Sequence, residues 1–234
     1  MGKELRCKDC GQGSREYCLL TVLSEDSFSD LAHISNSIHY EKGETLFQQG
    51  DPVHSLYIIC DGFVKLGRRT LEGKNQALIF CGPGTFAGAT VIMSPRKQYI
   101  LYAKCLTHVK SIPIPKRCFL EWLNNDPLIL KRVAEQCAQN FNGLAIWASF
   151  LAYKSLKERL IYVFQQIGRH YIDRAVENEI ICPFPLSRRD LAEAIGSAYE
   201  TTVAQLREFE AQGLIKISAS SIELSPRIFN MIVE

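Results

Sequence analysis

Leu186-Ser187-Arg188-Arg189-Asp190-Leu191-Ala192-Glu193-Ala194-Ile195-Gly196-Ser197-Ala198-Tyr199-Glu200-Thr201-Thr202-Val203 reads as two short helices bent at one glycine. That geometry lays a helix into the DNA major groove. Ser187 with Asp190, and Ser197 with Glu200, carry the Ser-x-x-acid spacing of a capped helix start. Leu191, Ala194 and Ile195 supply the buried side of the first helix, and Val203, Leu206 and Phe209 that of the second. Gly196 stands where the chain turns sharply, a conformation that glycine adopts without steric penalty. After Gly213, Leu214 to Ile217 and Ile222 to Leu224 alternate around Ser218-Ala219-Ser220-Ser221, which predicts a short β-hairpin wing. The alternative is an ordinary helical pair inside a core; the form of the motif favours DNA binding.

Upstream, Ser155-Leu156-Lys157-Glu158 offers another capping box, opening a helix to about Tyr171. Before it a long helix is predicted from about Pro127 to Tyr153. Leu130, Ala134, Cys137, Phe141, Leu144, Ala148 and Leu151 recur there at steps of four and three, the spacing of a coiled-coil seam. A solvated helix would carry charges on such a face, so the row favours a homodimer over packing on its own chain. From about 38 to 115, β-rich runs alternate with glycine turns such as Gly43, Gly50-Asp51, Asp61-Gly62 and Gly82-Pro83-Gly84. That rhythm implies an antiparallel barrel or jelly roll.

The chain of 234 residues holds two modest domains and is long enough for a real core. Its net charge of +2 gives no global field for nucleic acid, so DNA affinity must come from a local basic patch. The start lacks the apolar run of a secretory leader. The uncharged stretch Gln136 to Tyr153 contains Gln139, Asn140, Asn142 and Gly143, which argues against a membrane span. These features predict a cytoplasmic protein. Nine cysteines, an odd number, do not suggest a disulfide framework in a reducing compartment. Cys60, Cys81, Cys118, Cys137 and Cys182 lie in apolar or strand-like runs, where free cysteine packs as a small hydrophobe. His33, His39, His54, His108 and His170 are scattered and form no nucleophile–base set, so no enzyme is expected.

Read together, the fold class is α+β, with an N-terminal antiparallel β-roll, a long dimerisation helix and a C-terminal winged helix-turn-helix. The divisions are a cysteine-bearing segment at 1–24, a sensor roll at 25–124, the dimer helix at 125–154 and the DNA-binding domain at 155–234. In that order the parts resemble the CRP/FNR superfamily of bacterial transcription regulators, closest to its FNR-like branch. The resemblance rests on Lys42 to Asp51, Ser55 to Gly62, Gly84-Thr85-Phe86-Ala87-Gly88 and Leu186 to Ala192. It implies a homodimer whose sensing roll acts through the long helix on double-stranded DNA with a palindromic operator, and RNA polymerase as a further partner.

Cyclic-nucleotide-binding members of that family carry Gly-Glu after the Gly-x-Phe turn and Arg-Ser shortly downstream. Here the pairs are Gly88-Ala89 and Lys97-Gln98. Alanine accepts no ribose hydroxyl bond and the bidentate Arg fork is missing, which argues against cyclic AMP. Cys7-Lys8-Asp9-Cys10, followed by Cys18, resembles the cluster-binding segment of the FNR branch and implies an oxygen- or NO-sensitive [4Fe-4S] cluster. The family's fourth cysteine falls on Lys110. Cys105 lies five residues earlier, an odd offset that points to the opposite face of a regular strand and that a bulge or a different loop would rescue; a carboxylate such as Asp26 or another cysteine is the substitute. Zinc held by Cys7, Cys10, Cys18 and a histidine (His33 or His39), or an unliganded tail, remain open alternatives. So do a roll that senses a small molecule or haem and a sensor subunit without DNA function.

On DNA, Glu200 matches the acidic base-reading position of the family and can accept from a cytosine amino group; as Ser197's capping partner it would be structural instead. The family's guanine-reading arginine is replaced by Ala204, so the half-site departs from the usual one. Arg188, Thr201 and Arg207 match phosphate-touching positions, Tyr199, Thr202 and Gln205 lie on or beside the exposed face, and Val203, like Ala204, can touch a thymine methyl.

Overall fold

A computed structural model describes residues 18–24, 31, 35–172, 184–218 and 221–231. The chain divides into two compact units, one formed by 1–74 with 78–142 and the other by 75–77 with 143–234.

The first unit is built on two four-stranded antiparallel sheets. One has the order β1 (Ile38–Tyr40), β8 (Val109–Pro115), β3 (Ser55–Asp61), β6 (Phe86–Ala87); the other has β2 (Thr45–Phe47), β7 (Tyr102–Cys105), β4 (Val64–Arg69), β5 (Asn75–Cys81). The inward residues of these strands are apolar. Leu56, Ile58, Val64, Ala103, Val109 and Ile114 have no solvent exposure and form one core with Ile112 and Phe119. The glycine turns between strands are real chain reversals. Gly62 has φ +81 and is seated so tightly that a Cβ there would lie 2.1 Å from the carbonyl oxygen of His108. A four-residue helix, α1 (Ala89–Ile92), follows Gly88, and α2 (Lys116–Asn125) closes the roll with Phe119 and Trp122.

Helix α3 (Pro127–Tyr153) starts at Asp126, whose carboxylate accepts from the amides of Leu128 (2.9 Å) and Ile129 (3.4 Å), with Pro127 in the first turn. It carries two neighbouring apolar rows. Ile129, Val133 and Gln136 are buried on the roll, where Gln136 Nε2 donates to Phe86 O at 3.0 Å. Farther along, Trp147 and Phe150 are buried in the second unit, both beside Tyr162.

In the second unit, α4 (Leu156–Ile172) leads to α5 (Arg188–Ile195), α6 (Tyr199–Ala211) and the hairpin β9 (Ile215–Ile217) with β10 (Ile222–Leu224). The capping box before α4 forms: Ser155 N donates to Glu158 Oε2 at 2.8 Å and Glu158 N to Ser155 Oγ at 3.3 Å. That bonding from Ser155 holds the Glu158 carboxyl below its ordinary value. Leu160, Phe164, Leu191, Ile195, Leu206, Phe209 and Ile228 are fully buried, with Phe164 against Phe184 and Phe209. The α+β class, with a β-roll, long helix and winged helix-turn-helix, is as the sequence predicts. No helix among the described residues is long and apolar enough to cross a membrane.

Candidate nucleic-acid interface

Helix α5 begins with a complete capping box. Asp190 N donates to Ser187 Oγ at 3.1 Å and Ser187 N to Asp190 Oδ2 at 3.1 Å. It ends at Gly196 in the left-handed region, φ 65 and ψ 41, which lets the chain turn directly into α6. The second expected box is absent. Helix α6 starts at Tyr199 behind Ala198, which offers no side-chain cap. The Glu200 carboxylate is exposed and makes no hydrogen bond or ion pair among the described residues. The capping role set against base reading for Glu200 is therefore not the one the fold uses.

Along α6, Tyr199, Glu200, Thr201 and Arg207 are exposed, while Val203 and Gln205 are half-buried. Gln205 Nε2 is turned to Glu208 Oε2 at 2.7 Å. Thr202 corrects the expectation of a DNA-facing residue. It has no solvent exposure, and its Oγ1 donates to Ala198 O at 2.9 Å, the backward bond open to a threonine inside a helix.

The hairpin is tied to both helices. Glu210 Oε1 accepts from Ile217 N at 2.7 Å, and Arg188 Nη2 donates to Ser218 O at 3.2 Å. Arg188 is thus half-buried and braced against the wing, with its remaining donors still available. Leu186, Ser187, Arg188, Arg189, Tyr199, Ser218, Ser221 and Ile222 line a cavity of about 280 Å³ at the joint of α5, α6 and the wing. Arg189 and Arg207 are exposed without a hydrogen bond or ion pair among the described residues. This surface offers the unengaged guanidinium groups of Arg189 and Arg207, suited to phosphate oxygens, and the unpaired Glu200 carboxylate, suited to a base amino group. Sequence reasoning passed over Arg189, Ser218 and Ser221 as site residues. They come together only when the wing folds back on the start of α5, and no local signal marks that.

Of the residues proposed for a metal centre, Cys7, Cys10, Asp26 and His33 lie outside the described residues. Cys18 is half-buried and packs against the core of the roll. Cys105 is 1 % exposed, and burial, with Glu44 nearby, pushes its thiol up to about 12. Its offset from Lys110 is not a matter of strand faces. Cys105 pairs with Val64 in one sheet, and Lys110 with His39 and Asp61 in the other. Among the described residues no three His, Cys, Asp or Glu side chains are placed to hold a metal ion.

In the roll, Ala89 is buried in the core and offers no acceptor, while Arg96 and Lys97 are exposed. Tyr99 stacks on Phe47 at 3.9 Å between ring centroids and donates its hydroxyl to Ser55 O.

A family model described as a cyclic nucleotide-binding domain matches residues 37–126, and one described as a Crp-like helix-turn-helix domain matches 158–226. The chain belongs to the CRP/FNR superfamily. It is a DNA-binding transcription regulator of that type. The CRP/FNR relatives include the nitrogen fixation regulation protein FixK of Bradyrhizobium diazoefficiens, 23 % identical over 93 % of this chain and 89 % of that protein. The anaerobic regulatory protein of Pasteurella multocida is 22 % identical over 97 % of this chain and 82 % of that protein. Among solved CRP/FNR-like folds, the c-di-GMP-responsive global regulator CLP of Xanthomonas campestris superposes with a TM-score of 0.72 at 20 % identity, covering 86 % of this chain and 99 % of that one.

Proposed function

We propose that this protein is a cytoplasmic homodimer that reads a palindromic operator through two copies of α6, engages RNA polymerase there, and responds to a redox, oxygen or NO signal. The observation that carries the DNA reading is the exposed, unpaired Glu200 on α6, in a unit that also presents the exposed guanidinium groups of Arg189 and Arg207 and the braced Arg188. Support for the dimer comes from the α3 row, where Leu130 is 45 % and Phe141 71 % exposed and Ala134 and Ala148 also face solvent, an unpartnered apolar strip. Cys137, Leu144 and Leu151 of that row are half-buried. Two-fold symmetry then sets half-sites about one helical turn apart.

Cys7, Cys10 and Cys18 would hold an iron–sulfur cluster, with Cys105 as the candidate fourth ligand. Support comes from the Cys-x2-Cys spacing and from likeness to one relative named as an anaerobic regulatory protein. Bound there, such a cluster supplies a redox- and gas-sensitive group whose loss reports the signal.

Two measurements test the parts separately. Selection from random palindromes followed by gel shift should enrich one palindrome; enrichment of none overturns the DNA reading. Anaerobic purification should give a brown protein with about four irons per chain, bleached by Cys10→Ser. A colourless protein, or one carrying zinc alone, overturns the cluster and leaves the DNA reading standing.

A further inference from the structure

We infer that Arg159 is the positioning residue that fixes the helix-turn-helix to the end of α3, and that operator spacing is set through it. Arg159 lies in the first turn of α4, on an anchor made rigid by the Ser155–Glu158 capping box. Its guanidinium donates to three main-chain carbonyls: Nη2 to Leu151 O at 2.8 Å, Nε to Lys154 O at 3.0 Å, and Nη1 to Ile195 O at 3.2 Å. Leu151 is in the last turn of α3 and Lys154 just beyond it, while Ile195 is the last residue of α5.

Helix C-termini leave their final carbonyls without helical partners and carry the negative end of the helix dipole. One cation therefore serves two such ends at once. No carboxylate competes for it, since Arg159 makes no ion pair among the described residues; Glu158 beside it is engaged by Ser155 and by Lys154 Nζ at 3.4 Å. A planar fork with five donors in fixed directions can span acceptors on two helices, whereas a lysine ammonium is a single point. Ile195 O adjoins Gly196, the bend between α5 and α6, so the bond sits where the direction of α6 is decided.

The inference rests on the paired-α6 reading proposed above. If Arg159 sets how each α6 is presented from α3, its loss costs the simultaneous engagement of two half-sites rather than the engagement of either one. The test uses the full chain as wild type, Arg159→Ala and Arg159→Lys, on a palindrome selected with wild type, on the same half-sites at altered spacings, and on a single half-site.

Wild type should peak sharply at one spacing. Both variants should hold the single half-site within about threefold, yet lose about tenfold to a hundredfold on the full palindrome, the scale of one charge-assisted hydrogen bond. Their spacing preference should flatten. Amide exchange should quicken together in the last turns of α3 and α5 while the β9–β10 hairpin stays as in wild type. A variant that keeps the wild-type spacing profile overturns the inference. So does equal loss on single and paired sites, or quickened exchange throughout the unit, since either marks Arg159 as a general stabiliser. Absence of any preferred palindrome in wild type defeats the paired-helix reading instead; coupled exchange at the two helix ends would still report the brace.

Discussion

Phe141→Ala is the sharpest test of pairing through α3. The Phe141 side chain keeps 71 % of its surface exposed within one chain. Full burial of a phenylalanine contributes about 1.5–3 kcal/mol, so covering the exposed fraction contributes about 1–2 kcal/mol per ring. A two-fold interface buries the residue twice, giving about 2–4 kcal/mol for the pair. At 1.4 kcal/mol per decade, truncation should raise the dimer dissociation constant by about 30- to 700-fold. Sedimentation equilibrium across a dilution series reads this directly. The thermal midpoint of the dissociated chain should stay nearly unchanged, because the ring packs little on its own protomer. A change below about threefold in dissociation, or a wild type that remains single at working concentration, refutes the reasoning.

Glu200→Ala should lower discrimination at one base pair by about 1–3 kcal/mol and leave the salt dependence unchanged, since a carboxylate neutralises no phosphate; competition gel shifts at several salt concentrations check both, and a uniform loss on all DNA refutes base reading. Burial holds the Cys81 and Cys105 thiols up to about 12 and the Tyr40 and Tyr99 hydroxyls up to about 12, against ordinary values of 9.0 and 10.0. The unfolded chain loses these protons first, so the β-roll should lose stability progressively as pH rises from 9 towards 12. Thermal midpoints that stay flat across that window would refute it.

The local signals were legible. Strands such as Ile38–Tyr40 and Thr45–Phe47 stand where alternation and glycine turns put them, and α3 spans the expected Pro127–Tyr153. The Ser187–Asp190 box works because every atom it needs lies within one helical turn. The same spacing at Ser197–Glu200 fails because α6 starts one residue later than the pattern requires, at Tyr199. Periodicity found one apolar row of α3 but not its neighbour, since Ile129, Val133, Gln136, Trp147 and Phe150 also fit a three–four spacing. Spacing alone does not say which of two adjacent rows its own chain covers. The face argument from the Cys105–Lys110 offset misled because the turn at Leu106 to His108 sends the two residues to different sheets. Arg159 reaches Ile195, thirty-six residues away, and nothing near it in sequence marks that span.

The seat of Gly62 bears on how such a chain can diverge. The FixK relative shares 23 % identity over 93 % of this chain, and a hydrophobic core tolerates exchange where one hydrophobe answers the loss of another. At Gly62 no neighbour can answer. What an added methyl would strike is the main chain of His108 itself, which has no smaller version to offer. Descendants that keep this hairpin keep that position bare, and their drift runs around it.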